Sequence, residues 1–124
     1  MIVSFLSFNE NIKTAFQAEA DQRKNTISFE DKSCPNTEIR ISWFETSILL
    51  ERFGQVEMNM LFSLEQPTKG FYKNQEGVEF EYTIHTDSLF ISKNRIKVSY
   101  TLYLENQEIT KTTFQVSLFQ KNTK

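Results

Sequence analysis

The sequence predicts an all-β fold: an antiparallel, closed or nearly closed β-barrel of about 8–10 short strands. Three observations predict it. Apolar and polar residues alternate with period two in at least five segments, as half-buried strands require. Polar turns separate those segments at regular spacing, and no segment carries a clean helical stripe. The 124 residues include 12 phenylalanines but only 3 glycines. Phenylalanine, isoleucine, threonine and tyrosine suit pleated, half-buried surfaces. Short turns between successive strands favour an up-and-down order, and closure removes the exposed sheet edges.

Taken in order, Ile2 to Phe8 is a first strand whose two faces are weakly distinguished, and Asn9-Glu10-Asn11 is a polar break. From Thr14, Phe16, Ala18 and Ala20 share one face, which predicts a strand. A short helix over Asn11 to Gln22 competes, because alanine and glutamate favour it. Ile27 and Phe29 define a strand over Thr26 to Asp31. Lys32 to Asn36 is a loop, since Pro35 cannot join a central strand. Ile39, Ile41 and Trp43 mark the next strand.

Ser47 to Ser63 is the clearest hairpin. Val56, Met58, Met60 and Phe62 alternate with polar residues and with Leu61, and Ile48 and Leu50 form the matching apolar row. A loop of Arg52, Phe53 and left-handed Gly54 would set Leu50 opposite Val56 and Ile48 opposite Met58. A two-residue loop at Gly54-Gln55 would instead bring Glu51 beside Met58 on the buried face, so the longer loop is preferred. Pro67 opens a further strand that carries Phe71 and Tyr72 on opposite faces. Asn74 to Gly77 turns the chain again. Val78, Phe80, Tyr82 and Ile84 then alternate cleanly up to a bend at Thr86-Asp87-Ser88, with Leu89 and Ile91 beyond it. Ile96 to Leu104 is the next strand. Asn106-Gln107 is the expected turn into the last one, marked by Phe114, Val116 and Leu118. Lys121 to Lys124 is a polar tail expected to fray.

The length suits one domain over residues 1–124, large enough to fold without a disulfide or metal staple. The lone Cys34 cannot form an internal disulfide, which together with the lack of a signal-like leader predicts a reducing, cytoplasmic location. No apolar run approaches the roughly 20 residues of a membrane-spanning helix. A net charge of −2 gives no electrostatic reason to expect nucleic acid or an anionic membrane as partner.

Several pieces in a fixed order resemble a known family. They are Phe29-Glu30-Asp31, Ile48 to Gly54, Val56 to Phe62, Thr68-Lys69-Gly70-Phe71-Tyr72, Gly77, Thr86 to Leu89, and Val98 to Leu104. Together they resemble the YwiB-like proteins, small bacterial calycin-like barrels of uncharacterised function. The resemblance runs from Thr26 onward. It implies a lipocalin-like barrel in a bacterial cytoplasm, and it carries no established activity, so there are no catalytic residues to transfer.

The candidate binding residues follow from strand phase. Arg52 is in phase with Ile48 and Leu50, and Asp31 with Ile27 and Phe29, so both start on the inner face near one barrel mouth. Arg52 there is either an anchor for a polar ligand group or half of an ion pair with Asp31 or Glu30 that closes the barrel end. As a rim pair it would contribute at most about 1 kcal/mol, so Arg52→Ala should stay folded. Met58, Met60, Phe62, Tyr72, Phe80, Tyr82 and Tyr100 complete the candidate set. They either fill the barrel or line a cavity for a small apolar or amphipathic molecule. No catalytic residue, metal site or cofactor is expected. His85 is out of phase and faces outward, Cys34 has no adjacent base, and no phosphate loop or nucleophile elbow occurs. Glu79 and Glu81 share an outward face and read as solvated surface. Two functional readings remain. One is a small-ligand binder. The other is a structural or interaction module with a filled core, its function on aromatics such as Trp43, Phe44 or Tyr103. An enzyme ranks below both.

Overall fold

A computed structural model describes residues 1–120. The expected fraying of Lys121 to Lys124 lies outside them. Ten strands form: β1 (Ile2–Asn9), β2 (Ile12–Arg23), β3 (Thr26–Glu30), β4 (Thr37–Trp43), β5 (Ser47–Gly54), β6 (Val56–Ser63), β7 (Thr68–Asn74), β8 (Glu79–Ile91), β9 (Arg95–Leu104) and β10 (Gln107–Phe119). Each is antiparallel to its sequence neighbours, and β1 pairs with β10 from Ile2↔Phe119 to Asn9↔Thr112 to close the barrel. The predicted fold class is what the chain adopts. Residues 12–23 are strand and not helix, because β1 pairs with them from Asn9↔Ile12 to Ile2↔Glu19 and β3 pairs with the rest from Ala20↔Phe29 to Arg23↔Thr26.

The predicted phases place most side chains correctly, Val78 and Phe80 excepted, and β1 is resolved: Val3 and Phe5 are buried inside, while Phe8 is exposed. The hairpin register differs from the expected one. Leu50 lies opposite Met60 and Ile48 opposite Phe62, and the ladder reaches Arg52↔Met58. The register is therefore four residues from the expected one. An even slip leaves every side chain on its predicted face. The wide turn arises because Gly54 pairs across β4 with Thr37 and not within its own hairpin. Its φ of 131° is positive but outside the left-handed helical region. A Cβ there would lie 2.0 Å from the Asn36 carbonyl oxygen, so this close approach is open only to glycine.

The turn into β10 is also displaced by one. Glu105 and Asn106 take φ of 53° and 67° between paired Leu104 and Gln107, the two positive values of a type I′ hairpin turn. The expected bend at Thr86-Asp87-Ser88 is a bulge inside one long strand. Thr86 pairs with Tyr100 and Ser88 with Ser99, which leaves Asp87 extra. The bulge inverts the phase, so Leu89 and Ile91 pack on the core with Tyr100 and Ile84. Val78 lies just before β8 and is exposed. Trp43 is partly buried against the core, which removes it from the exposed aromatics.

Up-and-down order puts alternate turns at alternate barrel ends. At the end formed by the β2–β3, β4–β5, β6–β7 and β8–β9 turns, Val3, Ile27, Ile41, Ile48, Phe62 and Ile84 are fully buried. Each such side chain contributes roughly 1.5–3 kcal/mol. The other end is different.

Candidate functional site

A cavity of about 290 Å³ opens at the end formed by the β1–β2, β3–β4, β5–β6, β7–β8 and β9–β10 turns. Its inner part is lined by the buried residues Phe5, Ile39, Leu50, Met60 and Phe114, with Tyr100 and Thr112 beside them. Towards the mouth it is lined by half-buried Ser7, Asn9, Thr14, Arg52, Met58 and Tyr72, together with Tyr82, Leu102 and Thr110. The strand phases build this arrangement. Ser7 continues the inward row of Val3 and Phe5, and Thr110 and Thr112 continue the row of Phe114, Val116 and Leu118.

Arg52 is the one charged residue on the cavity wall among the described residues. Its Nη2 lies 2.9 Å from Asp31 Oδ2, and the Asp31 side chain is fully buried while 24% of the Arg52 side chain remains exposed. The two rows that carry them flank β4, where Ile39 pairs with both Phe29 and Arg52. The other carboxylate oxygen, Oδ1, accepts a hydrogen bond from Ser33 N (2.9 Å) and another from Ser33 Oγ. Oδ2 accepts no hydrogen bond of good alignment, so the guanidinium is what compensates it. Asp31 also ties the loop down through its backbone: its N–H donates to Thr37 O (2.9 Å) and its carbonyl accepts from Cys34 N (3.2 Å). Glu30 pairs with Lys32, which leaves Asp31 as the partner of Arg52. The pair is thus a buried lock and not the weak rim contact expected, because the β3–β4 loop covers the carboxylate.

Tyrosines ring the remaining space. Burial raises the Tyr100 pKa above its ordinary value near 10, against the opposing effects of the Thr112 hydroxyl and the Arg52 charge. Burial, and then the neighbouring Tyr72, also raise Tyr82. The Tyr100 ring packs on Phe62 with centroids 4.7 Å apart.

Of the sequence candidates, Arg52, Met58, Met60, Tyr72, Tyr82 and Tyr100 line the cavity. Asp31 does not; it sits behind Arg52. Phe62 is fully buried below the cavity. Phe80 is outside the lining and 38% exposed, its ring 6.2 Å from Tyr72 and 6.0 Å from Tyr82. Sequence reasoning missed the polar lining of β1, β2 and β10. The signal was present: Ser7, Thr14, Thr110 and Thr112 are polar residues in phase with apolar rows, the same sign that picked out Arg52.

His85 is exposed and meets the Tyr103 ring edge-on at 4.8 Å, while Cys34 Sγ accepts from Thr37 Oγ1 at 3.3 Å in the β3–β4 loop. Glu79 and Glu81 make exposed cross-strand pairs with Lys73 (3.7 Å) and Lys69 (3.8 Å). Among the described residues, no group of three His, Cys, Asp or Glu is placed to hold a metal, and no helix is long and apolar enough to cross a membrane.

The fold is similar to that in a crystal structure of the ywiB protein from Bacillus subtilis, with a TM-score of 0.59 and 16% identity over 96% of this chain and 89% of that one. Identity this low shows the fold alone. No curated protein matches the chain. A family model described as a domain of unknown function, DUF1934, matches residues 7–116. The YwiB-like resemblance of the sequence is therefore borne out, and the chain belongs to the DUF1934 family.

Proposed function

We propose that the barrel binds a small, partly apolar molecule at its open end, with Arg52 orienting the ligand's polar group. One observation carries the reading: a cavity of about 290 Å³, apolar at its base, with a single charged wall residue held in place by a fully buried carboxylate. Ligand sites combine apolar walls with a few fixed polar groups, and about 300 Å³ is the lower end of their usual size. Holding Arg52 in one rotamer before a ligand arrives reduces the entropy lost on binding. Binding is preferred to catalysis because, among the described residues, the cavity wall carries no imidazole, thiol or carboxylate. A cytoplasmic location is part of this reading. It is supported by the single cysteine and by an outward face carrying Glu57, Lys69, Glu79, Glu81 and Lys97, all exposed.

The test is a fluorescence titration with a panel of aromatic and aliphatic acids on the parent and on Met58→Trp. The larger side chain should occupy the mouth half of the cavity. The parent is expected to bind at least one member, and the variant to bind it tenfold or more weakly. Absence of binding across the panel, or equal binding by the filled variant, would favour a barrel whose interior serves only as core.

A further inference from the structure

The base of the cavity is apolar, through Phe5, Ile39, Leu50, Met60 and Phe114, but its hydroxyls all lie away from the β4–β6 wall. From β9, β10, β1 and β2, which are adjacent around the barrel, come hydroxyls at the buried end (Tyr100, Thr112) and nearer the mouth (Ser7, Thr14). From β4, β5 and β6 comes an apolar wall that likewise runs from buried Ile39, Leu50 and Met60 out to half-buried Met58. Arg52 stands on the apolar side and lines the same cavity as Tyr100. Among the described residues, Ser7, Thr14, Tyr72 and Tyr82 hydroxyls make no hydrogen bond within the protein.

A chain-like fatty acid would use the apolar base but leave the Ser7 and Thr14 hydroxyls beside its upper part without partners, which is unfavourable. A flat ring system suits the division, with one face on the methionines and hydrogen-bonding atoms along the opposite edge. Methionine adapts to such faces and makes favourable sulfur–aromatic contacts. Accepting the binding reading above, we infer that the ligand is a compact hydroxylated aromatic acid. Its anionic group lies between Arg52 and Tyr100, and its ring hydroxyl lies against Ser7 and Thr14. The small volume favours one or two fused rings over anything larger.

Calorimetric titrations with 6-hydroxy-2-naphthoic acid, 2-naphthoic acid, 2-naphthol and decanoic acid test this. The expected order places the hydroxy acid first, at least tenfold tighter than decanoic acid and than 2-naphthol. A Ser7→Ala, Thr14→Val double variant should weaken the hydroxy acid about three- to tenfold, the effect of losing one or two neutral hydrogen bonds. It should leave 2-naphthoic acid unchanged, a difference that general loosening of the barrel would not produce. Tighter binding of decanoic acid than of either naphthoic acid, or equal losses for both naphthoic acids, would overturn the inference while leaving the cavity a binding site. If none of the four probes binds, this inference falls, and the broader panel on the parent and Met58→Trp decides the binding reading separately.

Discussion

At the scale of single residues, Asp31 matters most because it is charged and fully buried. Removing one member of a buried pair leaves the other charge uncompensated, which costs about 3–5 kcal/mol. Arg52→Ala should therefore lower the urea midpoint strongly, and Asp31→Asn combined with Arg52→Met should recover much of the loss. Similar midpoints for Arg52→Ala and the parent would show that the carboxylate is solvated after all. The strand phase of Asp31 and Arg52 made the pairing legible in the sequence, but its burial was not, since the cover comes from how the loop at Ser33 and Cys34 folds back. Tyr100 gives a pH prediction. Its folded pKa is raised, so its contribution is fully present below its unfolded value near 10 and is lost as pH rises through the higher folded value. Tyr100→Phe should leave stability at pH 7 nearly unchanged and flatten the decline that sets in above pH 10. An alkaline unfolding curve identical to the parent's would exclude Tyr100 as its cause.

At the scale of elements, alternation fixed faces but not partners. Period two says which side a residue takes; it does not say how far a hairpin reaches before it turns. In β5 and β6 both sequence registers kept the turn tight around Gly54, whereas Gly54 serves the neighbouring β4 edge at Thr37. The information lay in a contact between Gly54 and Asn36, 18 positions apart in sequence, which local pattern does not carry. Gly54→Ala should accordingly cost about 2 kcal/mol or more, combining an unfavourable φ with a collision against backbone oxygen. Gly77→Ala, where a Cβ meets nothing within 4 Å, should be limited to the cost of its φ of 84°. Thermal unfolding of the two variants separates these terms, and equal shifts would contradict the close approach at Gly54.

At the scale of the molecule, the barrel has two unlike ends, and that asymmetry is what permits a site. Strand phase predicted a mainly apolar interior, which left both a filled core and a cavity open as readings of Met58, Met60 and Tyr82. What separates them is where in-phase polar residues replace branched aliphatics. The closed end holds Val3, Ile27, Ile41 and Ile48, while the open end holds Ser7, Thr14, Arg52 and Thr112. Truncation should read this difference directly. Ile41→Ala removes a fully buried side chain from a packed region and leaves a closed void, so a loss of about 2–5 kcal/mol is expected. Met58→Ala removes a half-buried wall that already faces open space, so water enters and no closed void forms; the expected loss is about 1 kcal/mol or less. Guanidinium denaturation of both variants, with equal m-values as the check for two-state behaviour, measures the contrast. If Met58→Ala proved as costly as Ile41→Ala, the open end would be packed in solution, and the barrel would be core from one end to the other.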